Sequence, residues 1–218
     1  MILAVILARQ LPPADFGILA MAMIVFNMVN YFTDLGMRPT VVQTKEDINK
    51  VAHFAFVIVM TASIAFTLVI ILLAQPLATL LGGSGELVDV IRWMSVYVVI
   101  DGLWIIPEAL LRRDLRFKQL SLAHIPGELA SSLIAIPLAI AGFGVWSLVI
   151  GTLAGKFLQV IVVWIFYRPW IWLRPQKWDR EIVRGMFRFG LPSMGSGLTK
   201  FFQNQLDTFI VGRQLGEA

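Results

Sequence analysis

The chain is 218 residues long, 58% of them hydrophobic and 15% charged, with a mean hydropathy of +0.78. A soluble domain carries about 25% charged residues, so the composition excludes an ordinary water-soluble fold, and the absence of cysteine excludes disulfides and thiolate catalysis or metal sites. The net charge of +4 comes from bases gathered in short loops between apolar runs, a sign of membrane orientation rather than nucleic-acid binding.

Apolar runs of about 20 residues recur, the length needed to cross a hydrocarbon core. They are too continuous for the roughly 10-residue alternating strands of a membrane barrel, so helices are expected. Residues 1–11 form a partial span, because at about 1.5 Å per residue they cover barely half a bilayer. No basic segment precedes them and no cleavage site follows, which argues against a signal peptide. Pro12-Pro13-Ala14-Asp15 ends this segment and starts the span 16–37. Spans at 51–74, 88–111, 120–141, 145–167 and 189–211 follow, with a break at Gly82-Gly83-Ser84-Gly85 and a tight turn at Gly142-Phe143-Gly144. Between the last two spans, Trp178, Ile182, Val183, Met186 and Phe187 fall near one helical face, with Arg180, Glu181, Arg184 and Arg188 elsewhere. This predicts an in-plane amphipathic helix over 178–188, lying in the cytoplasmic interface. The expected fold is all-α: a polytopic transmembrane helix bundle of about six full spans plus a partial first span.

Thirteen of the 18 Lys and Arg residues lie in alternate loops. Arg38, Lys45 and Lys50 occupy one; Arg112, Arg113, Arg116 and Lys118 the next; Arg168, Arg174, Lys177, Arg180, Arg184 and Arg188 the third. The positive-inside rule puts these loops in the cytoplasm. Trp164, Tyr167, Trp170, Trp172 and Trp178 crowd the same boundary, as an interfacial aromatic belt would.

Polar groups at membrane depth need a partner, a cavity or a task. In the last span Ser193, Ser196, Lys200, Gln203, Asn204 and Asp207 share about a third of the helix circumference. Asn27, Asn30 and Asp34 share a face, as do Trp93, Tyr97, Asp101, Trp104 and Glu108. Ser121, His124, Glu128 and Ser131 form another stripe, and Thr152, Lys156 and Gln159 a further one. Five spans with one polar stripe each predict a bundle around a central hydrophilic cavity. Small and polar side chains also hold transmembrane helices together, and Asn27, Ser121, Ser131 and Thr152 fit that role. Lys156 and Lys200 fit either an anionic substrate or a pairing with Glu128, Asp101 or Asp207. Neither His53 nor His124 suits a metal, and no nucleophile has a neighbouring base.

Several segments, in order, resemble the polysaccharide and O-antigen flippases of the multidrug, oligosaccharidyl-lipid and polysaccharide exporter superfamily. They are Leu7-Ala8-Arg9-Gln10-Leu11-Pro12-Pro13-Ala14-Asp15-Phe16-Gly17, Thr33-Asp34-Leu35-Gly36 with Val42-Gln43, Pro107-Glu108-Ala109-Leu110-Leu111-Arg112-Arg113-Asp114-Leu115-Arg116-Phe117, Gly142-Phe143-Gly144-Val145-Trp146-Ser147-Leu148-Val149, Phe189-Gly190-Leu191 and Asp207-Thr208-Phe209-Ile210-Val211-Gly212-Arg213-Gln214-Leu215-Gly216. The resemblance implies the N-terminal lobe of a two-lobed transporter with twelve to fourteen spans, working by alternating access in the bacterial inner (cytoplasmic) membrane. The chain stops just after what would be the seventh span, which implies half a transporter.

The implied cargo is a polyprenyl-pyrophosphate-linked oligosaccharide, moved for cell-surface polysaccharide or lipopolysaccharide biosynthesis. The implied partners are the bilayer, the lipid-linked substrate and other polysaccharide-assembly membrane proteins, with no nucleic acid and no cofactor. Candidate cavity residues are Lys156, Lys200, Asp207, Asn204, Gln203, Gln159, Asp34, Asn30, Asp101, Trp104, Glu108 and Glu128. The alternatives are a cation-coupled multidrug efflux transporter of the same superfamily, favoured by the excess of intramembrane acids, and a membrane glycosyltransferase or ligase. The enzyme reading is opposed by the short basic loops.

Overall fold

A computed structural model describes residues 10–81, 85–167 and 172–215, with side chains up to Gly197 and at Thr199. Among the described residues seven helices follow one another: α1 (Pro13–Asp34), α2 (Met37–Gln43), α3 (Ile48–Leu80), α4 (Gly85–Arg113), α5 (Phe117–Ile140), α6 (Val145–Phe166) and α7 (Arg180–Leu215). Five of them, α1 and α3 to α6, are long and apolar enough to cross a membrane. The chain is a multi-pass membrane protein. Its outward faces carry Leu72, Leu133 and Ile165, side chains suited to lipid tails rather than water.

Local chemistry accounts for the helix ends. Pro13 occupies the first turn of α1, where a missing N–H costs nothing, and Asp15 sits near the helix's positive end. The Asp47 side chain accepts a hydrogen bond from the Asn49 N–H and caps α3. The α5–α6 turn uses Gly142 at φ 85° and Gly144 at φ 54°, backbone that side chains disfavour.

Three differences from the expected spans change how the chain is organised. The first span ends at Asp34 rather than residue 37, because Leu35 (φ 48°) and Gly36 (φ 70°) turn left-handed and start a separate short helix, α2. The span expected over 51–74 runs on to Leu80, since Pro76 removes only one donor and does not end the helix. The in-plane helix 178–188 and the span 189–211 are one continuous helix, α7, which passes through Gly190 and Pro192 without a break. The apolar face of its first turns does not lie free for a membrane surface. Met186 is buried, and Ile182, Val183 and Phe187 pack with it on the core formed by Val41, Phe54 and Ile106.

The aromatic belt is also corrected. Trp172 is 1% exposed and packs edge-on against Phe56, and the Trp164 indole N–H donates to the Leu103 carbonyl at 2.9 Å. Trp172 is a core residue, and Trp164 is partly buried against the core. Trp178 is exposed and meets Phe54 edge-on, whereas Trp170 lies outside the described residues.

Helix α4 is central: 72% of its apolar stretch is buried, against 17–39% for the other four. It packs on α3, α1, α2 and α6. The tightest pair is α5 with α6, where glycines let the backbones touch. A methyl on Gly155 would stand 2.6 Å from the Gly127 carbonyl oxygen, and one on Gly151 2.7 Å from that of Ser131. One apolar cluster gathers around the basic loops, and another, with Phe26, Ile91, Met94 and Val145, fills the opposite end. The polar stripes lie between them.

Candidate functional site

A cavity of about 610 Å³ opens between α1, α2, α4, α5 and α6, lined by Asn27, Asn30, Tyr31, Asp34, Arg38, Asp101, Trp104, Glu108, Arg112, His124 and Lys156. Asn27, Asn30 and Asp34 reach it because a helix returns to the same face every three or four residues. Asp101, Trp104 and Glu108 do the same on α4.

Each charged group has a partner. Lys156 Nζ lies 2.5 Å from Asp101 Oδ1, and both side chains are about nine-tenths buried. The ammonium also sits over the Trp104 ring, 4.9 Å from its centre, and 5.7 Å from the centre of Tyr97. Both contacts favour a desolvated cation. Trp104 in turn meets His124 edge-on at 4.7 Å.

At the other end of the cavity Glu108, only 2% exposed, is shared by two guanidinium groups. Arg112 Nε donates to Oε1 at 2.7 Å. Arg38 Nε stands 3.3 Å from Oε2, too oblique for a hydrogen bond, so this second tie is ionic. Asp34 Oδ1 accepts the backbone N–H of Arg38 at 2.9 Å across the turn between α1 and α2. Burial works against the charge on Arg38, but Glu108, Asp34 and Asp101 outweigh it, and its pKa is raised. Three acids, Asp34, Asp101 and Glu108, thus face three bases, Arg38, Arg112 and Lys156. An anionic ligand entering here must compete with a carboxylate for its cation.

A smaller cavity of about 210 Å³, lined by Tyr97, Glu128, Ser131, Thr152, Lys156 and Gln159 among others, adjoins the first at Lys156. The Gln159 amide donates to Glu128 Oε1 at 3.4 Å.

Of the residues singled out from sequence, Asn30, Asp34, Asp101, Trp104, Glu108 and Lys156 therefore share one cavity, and Glu128 and Gln159 line its neighbour. Trp93 is exposed and lines neither cavity. The side chains of Lys200, Gln203, Asn204 and Asp207 lie outside the described residues. Sequence reasoning missed Arg38 and Arg112, which it counted as loop bases that set orientation. Their spacing was the available signal: each follows a stripe carboxylate, Asp34 or Glu108, by one helical turn.

A third arginine fixes α2. Arg113 Nη1 donates to the carbonyls of Val41 and Val42, both at 3.1 Å, and of Thr44 at 2.8 Å. These are carbonyls that the end of a helix leaves without backbone partners. Helix α4 thus grips α2 at both ends, through Glu108 and through Arg113.

Residues 6–218 match the family described as Polysaccharide biosynthesis protein. The succinoglycan biosynthesis transport protein ExoT of Rhizobium meliloti (strain 1021) is 27% identical over 213 residues, covering 97% of this chain and 42% of the relative. Two crystal structures have the same fold. A MATE in complex with MaD3S superposes with a TM-score of 0.73 at 20% identity, over 97% of this chain and 53% of the other. A single-substitution mutant of a MATE gives 0.68 at 21% identity, over 90% and 49%. The chain spans about half the length of the relatives it matches.

Proposed function

The chain belongs to the polysaccharide biosynthesis protein family, within the multidrug, oligosaccharidyl-lipid and polysaccharide exporter superfamily, and from that premise we propose that it is the N-terminal lobe of an exporter for a polyprenyl-pyrophosphate-linked oligosaccharide. It works in the bacterial inner membrane by alternating access, with the cavity between α1 and α6 as the lobe's substrate surface. The observation that carries this reading is the cavity itself: paired cations and neutral hydrogen-bonding groups enclosed by apolar helices. Its fit to the substrate is chemical. A pyrophosphate has at least two negative charges and crosses the bilayer core only with compensating cations. Arg38, Arg112 and Lys156 supply them here, and a guanidinium offers a fork that matches phosphate oxygens. Lys200 is the second lysine that the sequence assigns to the same anion. Asn27, Asn30, Thr152 and Gln159 offer the amide and hydroxyl groups that sugars need. ExoT, by its name, is a transport protein of polysaccharide biosynthesis, which supports the same class of cargo.

The test is glycan export in a strain lacking its own flippase, with the complete two-lobed protein, normalised to membrane abundance. The Arg38→Gln, Arg112→Gln double variant is expected to abolish export. Normal export by that variant would overturn the assignment of the cavity to the anion. A second reading, efflux of organic cations, is favoured by the three carboxylates that balance the bases. Binding of a cationic dye in place of a pyrophosphate lipid by the purified two-lobed protein would select it.

A further inference from the structure

The turn between α1 and α2 is strained and tightly seated. Leu35 adopts φ 48°, a left-handed backbone that a side-chain-bearing residue disfavours. Such strain persists where the surroundings leave the chain no alternative. The surroundings here are the backbone of α7. A methyl on Gly190 would lie 2.6 Å from the Leu35 carbonyl oxygen and 3.0 Å from the Met37 methyl. A methyl on Gly36 would overlap the Gly190 carbonyl itself. Two turns further along α7, Gly197 passes the Tyr31 ring, where a methyl would stand 3.1 Å away. So α7 rests on the elbow and on the last turns of α1 through residues without side chains.

What the elbow joins gives this seat a consequence. Asp34 precedes it and Arg38 follows it, and both line the large cavity. The far end of α2 is pinned to α4 by Arg113. Arg38, which meets Glu108, therefore stands between that pin and the elbow.

We infer that Gly190 is a positioning residue: the seat of α7 on Leu35-Gly36 holds Arg38 against Glu108, and lifting α7 from that seat releases Arg38 toward an anion in the cavity. The inference rests on the proposed substrate role of the cavity and adds the device that controls one of its cations. In a transporter that must bind and then let go, such a contact ties the affinity of the cavity to the position of a helix outside it.

The chain has no native cysteine, which makes the test direct. Paired substitutions Arg38→Cys with Glu108→Cys are bridged in membranes with a short bifunctional thiosulfonate, and the cross-linked fraction reports the placement of α2 against α4. The pair Asp101→Cys with Lys156→Cys, on α4 and α6, reports whether the bundle is folded. Gly190→Ala is expected to lower the first cross-link several-fold and leave the second unchanged. Gly185→Ala and Gly195→Ala, on the same helix but with nothing within 4 Å of the added methyl, are expected to change neither. An unchanged first cross-link in Gly190→Ala overturns the inference. So does a joint fall of both, which would make Gly190 a folding contact only. No substrate is present in this measurement, so its outcome is independent of the export reading. Export lost in Gly190→Ala with an unchanged cross-link would sink this inference and leave that reading standing.

Discussion

Lys156 and Asp101 form a buried ion pair across α6 and α4, 2.5 Å apart and roofed by the Trp104 ring. The pair joins the two cavities, since Lys156 lines both. Removing one member of a buried pair leaves an uncompensated charge and costs about 3–5 kcal/mol. Lys156→Gln should therefore lower the amount of folded protein recovered in detergent, and adding Asp101→Asn should restore most of it. Full recovery of the single Lys156→Gln variant would show that the pair does not hold the bundle.

Glu108 is shared and Arg112 is not, so their losses should differ. Glu108→Gln strips two guanidinium groups of their anion at a site that is 2% exposed. Arg112→Gln leaves Glu108 with Arg38. Thermal unfolding in detergent should therefore show the larger drop for Glu108→Gln, and equal drops would contradict the sharing.

Arg113 bonds three carbonyls at the end of α2 from one nitrogen. Hydrogen bonds made by a charged donor contribute about 1.5–3 kcal/mol. Arg113→Ala should destabilise the chain by that order and expose the α2–α3 connection to protease. Arg113→Lys should recover only part, because the lysine side chain ends short of the Nη1 position and its ammonium is the more strongly hydrated cation. Complete rescue by lysine would reduce the contact to simple charge.

Glycine substitutions should sort by space. Gly155→Ala pushes a methyl against the Gly127 carbonyl and the Ser131 side chain, which backbone cannot yield without parting α5 from α6. A loss of about 1–3 kcal/mol is expected from such overpacking. Gly17→Ala, in α1 with nothing within 4 Å, should instead be neutral or stabilise by up to about 1 kcal/mol. The check is the order of the two melting temperatures against the parent chain.

Orientation is testable with single cysteines. The basic loops converge at one end of the bundle: Arg113 reaches Thr44, and Trp178 meets Phe54. The charge distribution puts that end in the cytoplasm. Lys177→Cys should escape an impermeant thiol reagent in intact cells and react after permeabilisation, whereas Phe143→Cys should react in both. Labelling of position 177 in intact cells would invert the topology.

The sequence by itself determined the all-helical membrane class, the apolar segments, the breaks at Pro12-Pro13 and Gly142-Phe143-Gly144, and the family. These follow from hydropathy, turn chemistry and local motifs, all of which are read along the chain. It also placed Asp34, Asp101, Glu108 and Lys156 on polar faces, because helical periodicity fixes which face a residue occupies. Periodicity does not say which helix that face meets. Only the tertiary structure decided that Lys156 takes Asp101 rather than Glu128, that Arg38 and Arg112 leave the loops to share Glu108, and that Trp172 is core rather than belt. The elbow shows the limit most clearly. The span expected over 16–37 ran straight through Leu35 and Gly36, and Leu35 carries no signal of a left-handed turn. Its left-handed backbone lies directly against that of α7 at Gly190, more than 150 residues away in the chain.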